Sequence, residues 1–184
     1  MRKIKLQMQL SIDGFVAGPN GEMDWLNMSW SEDIINVVTK LTNEIDTILL
    51  GRNLAQGFIP HWKEALKTGE PGAKEMVQTP KVVFSKTLLD SPWENTKIAN
   101  GNLIEEVIAL KNKPGKDLMV YGGSKFVSSL IKQKLIDELY LFVNPSVIGS
   151  GMKIFGEVSE KQDYKLTQSK QFDCGIILLN YNLI

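Results

Sequence analysis

The chain is poor in several things that would otherwise direct its reading. It has one cysteine, Cys174, and one histidine, His61. A lone cysteine cannot close an internal disulfide and reads as a small buried hydrophobe. One cysteine and one histidine also leave no ligand cluster for a zinc ion. His61 stands between Pro60 and Trp62 in an expected loop with no nucleophile beside it, so paired base–nucleophile hydrolysis lacks its parts. Charge of one sign is missing too: 21 basic and 21 acidic side chains cancel, which removes the electrostatic case for nucleic acid or an anionic membrane. No apolar run of about 18 residues occurs, so no membrane span is expected. Arg2, Lys3 and Lys5 are followed by alternation rather than an apolar block, which does not read as a signal peptide. A cytoplasmic protein is the expectation. Arginine is scarce, only Arg2 and Arg52, and an internal arginine in such a lysine-rich chain asks for a specific explanation.

What is present suits one domain, taken as residues 1–184, with 43% hydrophobic residues. A chain of this length buries roughly 70% of its unfolded surface. Ile4, Leu6, Met8, Leu10 and Ile12 alternate with polar residues and predict a strand ended by Asp13-Gly14. A turn-rich loop, Gly18-Pro19-Asn20-Gly21, follows. Ser31 can cap a helix carrying Ile34, Val38, Leu41 and Ile45. "DTILLG" (46–51), "KVVFS" (81–85), "TKIA" (96–99) and "DLMVY" (117–121) read as strands. Helical or irregular pieces are expected over 53–67, from Asn102, and over Ser124–Lys132, and 68–80 reads as an exposed loop. The tail changes character: "ELYLFVNPSVI", "DYKLTQSK" and "GIILLNYNLI" are strands without long helices between them.

Alternating strands and helices predict parallel pairing, and the final strands predict antiparallel additions at one edge. The expected fold is α/β, a three-layer αβα domain with a mixed sheet of about eight strands. Ligands of such sheets sit at the carboxyl ends of the parallel strands. That rule gathers Gly51-Arg52, Ser85-Lys86 and Gly122-Gly123-Ser124 on one rim. Two glycines between a strand and a helix leave the helix N-terminus open to an anion. Arg52 adds a planar fork of donors suited to phosphate. Each element alone also fits a plain turn, a surface ion pair or a solvated lysine. Three on one rim suggest an extended ligand with several phosphates. Neither G-x-G-x-x-G nor G-x-x-x-x-G-K-[ST] occurs, and a cofactor that carries its own chemistry fits the shortage of catalytic side chains.

The segments "SIDGFVAGPNGEMDWL" (11–26), "ILLGRN" (48–53), "VVFSKTL" (82–88), "VYGGSKFVSSLI" (120–131) and "IDELYLFVNPSVIGSGMKIF" (136–155) carry a resemblance. In this order and spacing the chain resembles the dihydrofolate reductase-like superfamily, in particular the reductase domain of bacterial riboflavin-biosynthesis proteins. The resemblance implies an NADPH-dependent reductase. It sets Gly51, Arg52 and Asn53 close to the cofactor, with Arg52 near the adenosine 2′-phosphate, Ser85 and Lys86 at the adenosine end, and Gly122, Gly123, Ser124 and Lys125 on the pyrophosphate. The loop through Ala17 and Gly18 would close over nicotinamide with Trp25 flanking it. Asp13 and Tyr121 would lie toward the substrate, and Asp33, with Glu32 behind it, is the nearest match to the family's helix carboxylate. The resemblance further implies a homodimer acting on a small pterin-like or ribosylaminopyrimidine-type molecule. Two departures stand out: Leu54 replaces the family's threonine, and the zinc deaminase domain fused to riboflavin relatives is not expected here. The alternative is a dimeric nucleotide-binding protein of the same fold without efficient catalysis.

Overall fold

The computed structural model describes residues 1–184. The opening alternation forms β1 (Ile4–Leu10), whose Ile4, Leu6, Met8 and Leu10 all enter one apolar cluster while Lys5, Gln7 and Gln9 face the other side. The remaining elements are α1 (Glu32–Asn43), β2 (Ile45–Gly51), α2 (Arg52–Thr68), α3 (Ala73–Gln78), β3 (Lys81–Phe84), β4 (Thr96–Ala99), α4 (Leu103–Lys111), β5 (Asp117–Val120), α5 (Ser124–Lys132), β6 (Glu138–Val143), β7 (Tyr164–Gln171) and β8 (Ile177–Leu183). They build one 8-stranded sheet in the order β4-β3-β2-β5-β1-β6-β8-β7. Pairings from β4 through β6 are parallel, and β8 runs antiparallel to both β6 and β7. The mixed three-layer architecture is as the sequence predicts.

Two cores flank the sheet. On one face Val107 of α4 and Val127, Leu130 and Ile131 of α5 pack on β1, β5 and β6. On the other, Ile34 and Leu41 of α1, Ala55 and Ile59 of α2, and Met76 of α3 pack on Ile48, Leu50, Val83, Met119 and Phe142.

Several local details change. The stretch 68–80 is not simply an exposed loop: it contains α3, because Ala73 and Met76 have apolar surface to bury. Ile45 begins β2 instead of closing α1, and "NPSVI" leaves the sheet after Val143. His61 lies within α2, which runs through Pro60. The apolar strands β6 and β8 are interior, and the sheet edge falls to β7, whose residues are mostly exposed and include Lys165 and Lys170. Lysine on an edge strand discourages further pairing.

Candidate functional site

Six parallel strands end on one rim, and two neighbours among them lead into helices, β2 at once into α2 and β5 through Tyr121-Gly122-Gly123 into α5. The N-caps are Gly51 for α2 and Gly123 for α5. Neither has a side-chain cap, and neither helix has an acidic residue in its first turn. The other helices differ. α4 is capped by Asn102, which accepts from the Ile104 and Glu105 amides, and acidic residues occupy the first turns of α1, α3 and α4. The two rim helices therefore present adjacent positive ends with no carboxylate to neutralise them.

The glycines make this possible in different ways. Gly122 and Gly123 take φ of 152° and 85°, which side-chain-bearing residues rarely adopt. A Cβ on Gly123 would stand 4.0 Å from the Gly51 Cα, so the two N-termini are side by side. Gly51 has φ of −74°, and a Cβ there would meet Phe126 Cβ at 2.8 Å. Its glycine lets α5 sit close on β2. Leu54, in the place of the expected threonine, covers the glycine pair; a Cβ on Gly122 would meet its Cδ2 at 3.3 Å. Ser124 does not cap α5, since its hydroxyl points to Met152 Sδ at 3.5 Å. Lys125, exposed, lies in the first turn.

Arg52 opens α2. Its guanidinium donates to Thr87 Oγ1 at 2.6 Å and to Asn53 Oδ1 at 3.3 Å, and no carboxylate lies within 4.0 Å of it. Arg2, the other arginine, is buried and paired with Asp46. So one arginine is consumed by the fold, and the other stands at the rim with donors to spare. Ser85 is buried, and its hydroxyl accepts from the Thr87 and Leu88 amides at 3.2 and 3.0 Å, shaping the turn that carries Thr87 to Arg52. Lys86 reaches instead to the carbonyls of Asn100 and Gly101 beyond β4.

The rest of the rim is a belt of loops joined by hydrogen bonds. Asp13 accepts from the Gly149 amide at 2.7 Å and the Ile148 amide at 3.3 Å. Ala17 exchanges backbone contacts with Met152, and a Cβ on Gly151 would collide with the Ala17 carbonyl. Gly18 closes a turn with Glu22, and Trp25 Nε1 donates to the Glu22 carbonyl at 3.3 Å. Ser146 Oγ donates to the Trp25 carbonyl at 3.1 Å. Asn144, 1% exposed, accepts from the Asn27 amide at 3.1 Å and donates to Gln9 Oε1 at 2.7 Å. Asn27 donates in turn to the Cys174 carbonyl at 2.8 Å. Ser31 Oγ accepts from the Cys174 amide at 3.2 Å and donates to Asp33 at 2.5 Å. Asn27, Asn144 and Ser146 escaped the sequence reading. The one signal was Asn-Pro directly after an apolar strand, where a buried amide often replaces lost ladder bonds.

Asp13, on the loop after β1, and Asp33, in the first turn of α1, thus each hold a separate stretch of backbone in place. The Ser11 hydroxyl and the two amides keep the Asp13 carboxyl below the usual carboxylate range. Ser31 and the Asp173 amide do the same for Asp33. Both are ionised near neutral pH.

Tyr121 follows β5 and turns toward α1 and α2, stacked on Phe58 at 5.6 Å. Burial pushes its hydroxyl up to about 12, so it stays protonated. The pairing of Leu6 with Val120 sets Gln7 beside Tyr121, Gln7 pairs with Tyr140, and Tyr140 with Asn180. A polar row therefore crosses four strands on one face. In it the Tyr121 hydroxyl, Gln7 Oε1 and Asn180 Nδ2 are buried with no protein partner. Buried polar atoms are rarely left unpaired.

A mixed sheet of this order, with its rim between a pair of open helix N-termini, defines an α/β protein of the dihydrofolate reductase-like fold. Enterococcus faecalis dihydrofolate reductase, solved in complex with NADP(H), superimposes with a TM-score of 0.64 at 18% identity over 98% of this chain and 96% of its own. The chain belongs to the RibD C-terminal domain family, whose model matches residues 2–178. It is 35% identical to the uncharacterised protein YyaP of Bacillus subtilis (strain 168), over 98% of this chain and 95% of that one. It is 23% identical to the riboflavin biosynthesis protein RibD of Aquifex aeolicus (strain VF5), covering 94% of this chain and 55% of RibD. A Thermotoga maritima diaminohydroxyphosphoribosylaminopyrimidine deaminase/5-amino-6-(5-phosphoribosylamino)uracil reductase superimposes with a TM-score of 0.70 at 17% identity, over all of this chain and 57% of its own.

Proposed function

We propose that the protein is an NADPH-dependent reductase of a pterin-like or ribosylaminopyrimidine-type small molecule. The observation that carries this reading is the pair of open helix N-termini capped by Gly51 and Gly123 with Arg52 beside them. Such an arrangement suits a pyrophosphate flanked by a further phosphate. In this reading the α5 N-terminus (Gly122, Gly123, Ser124, Lys125) takes the pyrophosphate, Gly51, Arg52 and Asn53 take the 2′-phosphate, and the turn at Ser85 and Lys86 flanks the adenosine. Ala17, Gly18 and Trp25 border the nicotinamide. NADPH, when bound, supplies the hydride. Tyr121 and Gln7 offer a neutral donor and an acceptor to a polar planar substrate, consistent with their unpaired buried atoms.

A second reading keeps the nucleotide site without efficient turnover, and the ionised state of Asp13 and Asp33 favours it, because an acid catalyst must hold its proton near working pH. NADPH titration followed by nicotinamide fluorescence tests the shared part: no saturable change removes both readings. Turnover with a panel of oxidised pterins and ribosylaminopyrimidines then separates them. We further infer a homodimer, which the family resemblance supports.

A further inference from the structure

Away from the rim, the amino end of β3 borders a cavity of about 300 Å³ between α2, α3 and the segment before β4. Ile59, Trp62 and Met76 give it an apolar wall, and Lys63, Lys81 and Glu94 supply its charges. Lys81 is 3% exposed. It is one of three buried cations in the protein, with Arg2 and Lys5. The other two have carboxylates: Arg2 pairs with Asp46, and Lys5 with Glu44 at 2.6 Å and Asp117 at 3.2 Å. Lys81 has none. Its ammonium donates to the backbone carbonyls of Thr79 at 2.7 Å and Val77 at 3.1 Å, which leaves one of its three N–H groups uncommitted. A buried cation without a counter-ion is costly, and the molecule tolerates it beside an open space.

We propose that this cavity is a binding site for a small amphipathic carboxylate, whose anionic head pairs with the Lys81 ammonium and whose apolar body lies against Ile59, Trp62 and Met76. Three features select that chemistry. The uncompensated charge is positive. Lys63 does not compete for the head group, since Glu94 already neutralises it at 3.0 Å. The apolar wall suits a hydrocarbon or aryl body better than a free inorganic anion. The volume is that of a small metabolite, at the low end for ligand pockets. The site lies at the opposite end of β3 from Ser85, so it is separate from the proposed nucleotide site.

Protonation should gate the site. The charged groups facing Lys81 are Lys63 of α2 and Glu94 before β4; α3 contributes Met76, Val77 and Gln78, none of which titrates. Burial, with Lys63 nearby, lowers the Lys81 ammonium to about 8. An anion that needs the ammonium form therefore binds about tenfold more weakly at pH 9 than at pH 7.

The probes are sodium benzoate and inorganic phosphate, titrated calorimetrically into the full chain at pH 7 and pH 9, with tryptophan emission as a second readout. Saturable benzoate binding at pH 7, weaker by about tenfold at pH 9, is the expected result. In Lys81→Met benzoate affinity should fall at least tenfold, while NADPH titrates as in the parent. Lys63→Ala, at a half-exposed position, should keep benzoate binding within a few fold and guards against a folding defect in the first variant. The proposal is overturned if benzoate does not saturate the native protein at pH 7, if the pH change has no effect, if phosphate binds there in place of benzoate, or if folded Lys81→Met binds benzoate as before.

Discussion

Replacing Arg52 with alanine should separate the two nicotinamide cofactors. NADPH and NADH differ by one 2′-phosphate, which carries nearly two negative charges at neutral pH. The Arg52 guanidinium has five N–H donors, of which two are directed to the neutral oxygens of Thr87 and Asn53. With no carboxylate within 4.0 Å, its charge is unspent in the free protein. Truncating one member of a charge-assisted contact costs about 2–5 kcal/mol when the contact is buried. Arg52 is half-buried, so the lower end applies, about 2 kcal/mol or a 30-fold loss of NADPH affinity. NADH, lacking the phosphate, should lose little. The NADPH preference of the parent should also shrink as salt rises, because a half-exposed ion pair is screened. The assay is nicotinamide fluorescence titration of both cofactors against parent and Arg52→Ala at two ionic strengths. Equal losses for the two cofactors would mean that Arg52 supports the loop through Thr87 and does not meet the phosphate.

Gly51→Ala should destabilise the fold by about 1–3 kcal/mol through overpacking against Phe126, with no backbone strain involved; in urea denaturation, Phe126→Ala in the same chain should recover part of the loss, and strict additivity would refute the contact. Lys81 contributes a pH dependence of known sign. Its ordinary value of 10.5 drops to about 8 on folding, so between those limits the unfolded chain binds more protons and stability rises with pH. Relative to Lys81→Met, the parent should gain about 3 kcal/mol across that window in urea denaturation, and parallel pH profiles would show the ammonium to be solvated. In sedimentation velocity the protein should run at about twice its 20.6 kDa chain mass at micromolar concentration, and a single monomer boundary would remove the dimer.

Much of the fold was legible because its signals are local. The alternation in β1 and the apolar spacing of α5 over Ser124–Lys132 report burial directly, and both elements form where the pattern puts them. Asn102 announced a helix start, and its side chain accepts the two amides that a cap should. What escaped depends on pairing partners far away in sequence. Nothing near Asn144 says that its amide will bind Asn27 and Gln9. Nothing near Ala73 says that a short helix will find apolar cover under α2. Which of the last strands is outermost was hidden for the same reason: β7 is less apolar than β6 or β8, and only the strand order reveals that it forms the edge.

The glycine pair Gly122-Gly123 shows that one sequence signal can have more than one physical cause. A glycine pair after a strand suggests that something approaches the backbone closely. In the structure the close neighbours of Gly51 and Gly122 are the protein's own side chains, Phe126 and Leu54. Packing and positive φ therefore account for these glycines without any ligand. The case for an anion rests on a different feature, the absence of caps and acidic residues at two neighbouring helix starts, together with an arginine that no carboxylate claims. The same test distinguishes the cations elsewhere. Arg2 and Lys5 are buried and paired, and belong to the fold. Arg52 and Lys81 lack carboxylates, one beside the rim and one beside a cavity. Residue type alone would rank all four alike; the presence or absence of a counter-charge is what separates them, and its consequence can be measured at each position by its own charge-removing variant.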